Sequence, residues 1–105
     1  MRMPEIQKMV HQLAVEKGWY DPPKSDLESI MLMVSELSEA VEEVRKGSAG
    51  TYHVDGKPEG VAIELADCVI RIMDYCESRG INLQAAIFEK HDYNKSRPYR
   101  HGKKI

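Results

Sequence analysis

An all-α, four-helix bundle-like fold is what this sequence predicts, and three observations predict it. Four runs carry apolar residues at helical spacing, with almost no strand signal between them. Each run is bounded by a capping residue, a proline or a glycine where a helix must begin or end. The third run is apolar over well more than half its circumference, on the order of 200° by helical-wheel reckoning. So apolar a helix leaves surface that three neighbours in a small bundle do not cover, which predicts an oligomer assembled through it.

The first helix runs from Pro4, a favourable first-turn residue, to Lys17, with Gly18 as its stop. GWYDPPKS follows, where Asp21, Pro22 and Pro23 forbid continuous helix. Ser25 and Glu28 form a capping-box pattern opening the second helix, which continues to Lys46 before Gly47. Its expected core stripe is Met33, Val34, Leu37, Ala40, Val41 and Val44, with Glu36, Glu39 and Glu43 along the edge. Gly47 to Lys57 reads as a glycine-bearing loop, long enough to be mobile or to lie over a site. The third helix begins near Pro58 and ends at Arg79, ahead of Gly80. Asn82 caps a fourth helix running toward Ser96, and Pro98 starts a basic tail. Residues 1–105 thus read as one domain, with 96–105 as its basic C-terminal tail.

A net charge of −2 gives no bulk reason to expect nucleic acid or membrane as a partner. No apolar stretch reaches membrane-spanning length, and MRMPEIQKMV lacks the apolar run of a signal peptide. Cys68 and Cys76 stand eight residues apart in one predicted helix. That is about 12 Å along the axis, beyond the reach of a disulfide. The expected compartment is cytoplasmic.

Four acidic residues carry the functional signal: Glu36 and Glu39 in SELSEA, Glu64 and Asp67 in IELADC. At about 100° of turn per residue, each i, i+3 pair lies on one side of its helix, beside an apolar run. Carboxylates are seldom placed there unless something cationic neutralises them. Two such helices offer an oxygen-rich cage suited to Mg²⁺, with Mn²⁺ as a substitute. The set has no histidine or cysteine, which argues against zinc, and no ExxH pair, which argues against a ferritin-like di-iron site. Mg²⁺ commonly bridges to substrate phosphates, so phosphate chemistry is the natural expectation.

ELSE at 36–39 followed after 24 residues by ELAD at 64–67 resembles the ExxE…ExxD signature of the MazG-like, all-α nucleoside triphosphate pyrophosphohydrolases. The resemblance extends to GWYDPP, to KPEGVAIELADCVIRIMD and to KHDYNKSRPYRHGKK. It implies an antiparallel helical core, a homodimer or homotetramer, and Mg²⁺-dependent hydrolysis of a (d)NTP to the monophosphate and pyrophosphate. Glu36, Glu39, Glu64 and Asp67 become the metal ligands by position. Many relatives carry a glutamate directly before the ExxE pair, where this chain has Ser35. Two alternatives stand beside this expectation: a phosphoribosyl-ATP pyrophosphohydrolase-like enzyme, and a non-catalytic helical module whose acids bind metal only for structure.

Hydrolysis of a phosphoanhydride needs an aimed water and neutralised charge on the leaving pyrophosphate. Glu39, ahead of Glu36, is the candidate to orient or deprotonate that water, with Glu43 in reserve. Lys90, Asn94 and Arg97 follow i, i+4, i+7 and line one face of the fourth helix or its extension. They are the candidate substrate contacts, although cations also gather at helix C-termini to offset the dipole. Trp19 and Tyr20 suit either base stacking or packing on the first helix. Arg71 is expected to pair with the acids beside it, Asp67 and Asp74.

Overall fold

The computed structural model describes residues 1–48 and 50–104. Ala49 of the expected loop and Ile105 of the expected tail lie outside the described residues. The elements are α1 (Met3–Glu16), α2 (Asp26–Arg45), β1 (Tyr52–Val54), β2 (Lys57–Glu59), α3 (Val61–Ser78) and α4 (Leu83–Ser96), followed by a single turn at Tyr99–Gly102. The expected caps form. Ser25 Oγ accepts from the Glu28 N–H at 3.1 Å, the N-cap bond, and donates to Glu28 Oε1 in place of the reciprocal backbone bond of a full capping box. Asn82 Oδ1 accepts from the Ala85 N–H at 3.0 Å and starts α4.

The segment after α2 departs from expectation, because Tyr52–Val54 and Lys57–Glu59 pair as an antiparallel hairpin. Asp55 and Gly56 turn it with φ of 51° and 80°, the left-handed pair that a two-residue hairpin turn requires. Pro58 therefore lies in β2 opposite His53, and α3 starts three residues later than Pro58, at Val61. Gly60 makes the corner at φ 119°, ψ 172°, a conformation essentially reserved to glycine. A Cβ there would lie 2.1 Å from the Gly50 carbonyl oxygen. This close approach seats the hairpin against the start of α3, where the Val61 N–H also donates to Ser48 O at 3.0 Å.

α3 is the central helix, packed by α1 on one side and α2 on the other. Both run antiparallel to it. Gln7 donates to Glu77 and to Ile81 O near the end of α3, while His11 meets Asp74 further back at 2.8 Å. Likewise Asp26 accepts from Tyr75 and Arg79, Met33 O meets Cys68, and Glu36 meets Arg71. α4 lies against α1 and buries none of its residues, so within one chain it does not close a four-helix core. The chain is mostly helical with one small sheet, and no helix among the described residues is long and apolar enough to cross a membrane.

The face that α2 turns inward is not the one its apolar stripe predicts. Glu36, Ala40 and Glu43 are its buried residues, whereas Val34, Leu37, Val41 and Val44 of the expected core stripe are exposed. Leu27, Ile30 and Met31 extend the outward stripe toward the N-terminus. At about 100° per residue the two faces stand on the order of 140° apart. Among the described residues the buried apolar side chains are Ala40, Cys68, Met73 and Cys76, matched by the buried polar ones of Gln7, Glu36, Glu43 and Glu64. Both cysteines are free. The Cα radius of gyration is 16.3 Å, against about 13 Å for a compact chain of this length.

Gly60→Ala is expected to destabilise the chain by about 2 kcal/mol or more in urea unfolding, since the clash adds to backbone strain. Gly56→Ala, where the site of a Cβ is open space, should cost only about 1 kcal/mol. Equal losses would mean that the Gly60–Gly50 approach contributes nothing.

Candidate functional site

The antiparallel pairing of α2 and α3 sets the two acidic pairs across one seam. Glu36, Glu64 and Asp67 each offer a carboxylate oxygen, and the three oxygens lie within 4.8 Å of one another. Glu36 and Glu64 are buried and Asp67 is half-buried. At 4.8 Å two carboxylates repel by about 3.5 kcal/mol at an effective dielectric of about 20. Such a group persists only with protons or cations among it.

The structure shows where that compensation falls. Burial first, then a hydrogen bond from the protonated Glu64 to the neighbouring Glu39 carboxylate, then the charges of Glu39, Asp67 and Glu36, push the Glu64 carboxyl up to about 7. Asp67 is also raised, by burial and then by the Glu36 charge, with Arg71 and Lys57 opposing. Arg71 Nε donates to Glu36 Oε1 at 2.9 Å. Its expected partners were Asp67 and Asp74; it reaches instead across the helix seam to Glu36, and Asp74 pairs with His11. One Glu64 oxygen, Oε2, is enclosed with neither solvent nor a hydrogen-bond partner. That orphaned oxygen and an all-carboxylate donor set fit a hard divalent cation such as Mg²⁺ or Mn²⁺. Glu39 is exposed at the edge of the group, beside Glu64 and outside the 4.8 Å trio.

A cavity of about 350 Å³ opens beside the acids, with Glu36 and Asp67 in its wall. Its other surfaces come from α1 and the turn after it, with Leu13, Ala14, Trp19 and Tyr20, and from Leu32, Ile70 and Tyr75. Lys17 and Lys24 stand at the same cavity, Lys24 Nζ lying 5.3 Å from the Trp19 ring centre. Tyr20 packs edge-on against His11 of α1 at 4.9 Å. Tyr20 therefore packs on the first helix, one of the two uses that the sequence leaves open, and also lines the cavity. The arrangement puts an aromatic, mostly apolar compartment next to an acidic one.

Lys90, Asn94 and Arg97 do not join this site within the chain. None of them lines the cavity, and α4 makes its packing contacts with α1. Lys90 and Asn94 share a separate shallow depression, and Lys90 and Arg97 flank the Tyr93 ring at 4.9 and 5.5 Å.

Glu43, expected at the edge of the apolar stripe, is among the most buried residues. The Tyr52 hydroxyl of β1 donates to both its oxygens, at 3.1 and 3.0 Å. Its spacing of seven from Glu36, two helical turns on the same face, is the signal that would have placed it inward. Tyr52 and Glu59 carried no such signal, since both depend on the hairpin.

A carboxyl raised from 4.5 to about 7 keeps its proton in the folded chain where the unfolded chain has released it. The folded state then binds more protons, so stability falls as pH rises through that window. In chelator-treated protein, Tm should decline from about pH 5 to about pH 7, and Glu64→Gln should flatten the decline. An undiminished slope in that variant would place the proton elsewhere.

No family model matches the chain, and neither a curated protein nor a solved structure matches it.

Proposed function

We propose that this chain is a Mg²⁺-dependent nucleoside triphosphate pyrophosphohydrolase, cleaving a (d)NTP to the monophosphate and pyrophosphate. The observation that carries the reading is the convergence of Glu36, Glu64 and Asp67 within 4.8 Å at the wall of an aromatic-lined cavity. Those three residues and Glu39 would hold the cation, which when bound neutralises phosphate charge and acidifies water. The cavity walls, with Trp19 and Tyr20, suit the flat apolar face of a base. Glu39, exposed beside Glu64, is free to take a proton from water as its oxygen attacks phosphorus. The new P–O bond forms as the bridging P–O bond between the α and β phosphorus breaks, and pyrophosphate departs with the bond's electrons.

The same reading includes a homo-oligomer, supported by the outward α2 stripe and by Leu65, Val69 and Ile70 exposed on α3. Covering one such half-exposed side chain contributes on the order of 1 kcal/mol. α2 thus joins α3 in the proposed interface. Lys90, Asn94 and Arg97 would then reach the phosphates from a second copy, since they do not line the cavity of their own chain.

With Mg²⁺ and a panel of dNTPs and NTPs, wild type should release pyrophosphate, leaving the nucleoside monophosphate. Glu39→Ala and Asp67→Ala should each lower turnover about a hundredfold or more. Diphosphate as the nucleotide product would sink the reading. Turnover of phosphoribosyl-ATP alone would redirect it, and metal-dependent stability without any turnover would leave a structural module.

The assembly has its own measurement. Leu37→Glu with Val41→Glu should shift the sedimenting species to a monomer, while the paired charge reversal Glu42→Lys with Arg45→Glu, also exposed, should not. An unchanged monomer in wild type would remove the α2 face from any interface.

A further inference from the structure

We propose that Glu43, Glu59 and Glu64 form a second divalent-cation site, built at the junction of the hairpin with the ends of α2 and α3. The three come from different elements: the last turns of α2, the end of β2 and the first turn of α3. Each offers one carboxylate oxygen, and the three oxygens lie within 4.8 Å of one another. Oxygens sharing one ion at Mg²⁺ to Ca²⁺ bond lengths stand about 3 to 5 Å apart, so the group needs little adjustment to close on a cation. Neither Glu43 nor Glu59 belongs to the ExxE…ExxD pairs, and neither is needed by the hydrolytic centre proposed above.

A cluster of acids alone would be met by surface lysines and water. Here a second observation points to a ligand. Glu64 is 6% exposed, its Oε2 has no hydrogen-bond partner, and it belongs to this group as well as to that of Glu36 and Asp67. Glu43 is 5% exposed, so two of the three carboxylates have left water. The nearby countercharges are Lys46, 3.8 Å from Glu43, and Lys57, 3.2 Å from Glu59. Their side chains are 63% and 76% exposed, and neither bonds Glu64 Oε2. Two solvated ammonium groups held at one end are weak compensation for three converging acids. Both can swing into water when an ion arrives. The Tyr52 hydroxyl, donating to both Glu43 oxygens, keeps that carboxylate in place from the hairpin side.

Such an ion ties the hairpin to both helices at once. Its occupancy is therefore read in two ways that do not depend on nucleotide turnover: bound Mn²⁺ counted by the loss of the free-ion electron paramagnetic resonance signal, and hydrogen exchange of the 52–59 amides. Wild type should bind about two Mn²⁺ per chain and slow exchange in the hairpin. Glu59→Gln, at a half-buried position that should tolerate the change, should bind about one and lose the metal-dependent protection. Asp67→Asn should keep that protection while losing the other ion. Glu59→Asp, which preserves the charge, should restore binding in part if the fold is intact by circular dichroism.

Mn²⁺ binding and hairpin protection unchanged in Glu59→Gln would overturn the proposal. So would a single wild-type ion abolished by Asp67→Asn and untouched by Glu59→Gln. A single ion abolished by Glu59→Gln alone would support this site and count against the Glu36–Asp67 centre.

Discussion

The seam between α2 and α3 is the constraint on which the rest of the molecule depends. It is a helix interface that buries Glu36, Glu43 and Glu64 as well as Ala40 and Cys68. Apolar packing alone would have turned Val34, Leu37 and Val41 inward, at a gain of roughly 25 cal/mol for each Å² of apolar surface removed from water. Instead the acids are inside, tied by the Glu36–Arg71 ion pair and by the Tyr52 hydroxyl on Glu43. Burying charge is costly unless it is matched. The seam therefore has to match its buried charge locally.

That demand organises its surroundings. Arg71 answers it for Glu36, and a retained proton answers it for Glu64, whose carboxyl is raised to about 7. Between them, Asp67 is half-buried and the enclosed Glu64 Oε2 has no hydrogen-bond partner. The aromatic cavity opens at the same place because α1 and the turn carrying Trp19 and Tyr20 pack on the other flank of α3. One central helix thus presents acids to α2 and a partly apolar wall to α1. The Gly60 corner adds a third contributor, bringing Glu59 and Lys57 over the start of that helix.

The outward stripe of α2 is the other consequence of the same seam. Once the acidic edge is turned in, the apolar residues have nowhere to go within a chain whose fourth helix lies against α1. An expanded radius of gyration and the small number of apolar side chains buried among the described residues describe a chain that holds its acids better than its hydrophobes. A second copy covering that stripe would supply the missing apolar burial and bring further cations within reach of the seam.

How much of this was legible in the sequence divides along a physical line. Local signals determined the helices: the Ser25 cap, the Asn82 cap, and Gly18 and Gly80 as stops each act within one turn of chain. The i, i+3 acids declared a metal-suited pattern for the same reason, because helical geometry alone puts both members of a pair on one side. The Asp55–Gly56 hairpin was signalled by its turn residues, but its strands of three residues are too short for periodicity to register. Which face of α2 points inward was not local at all. Periodicity identifies an apolar face but not what covers it, and only the tertiary structure, by pairing α2 with α3 through Arg71, Glu43 and Glu64, decided that the acids lie inside and the hydrophobes outside.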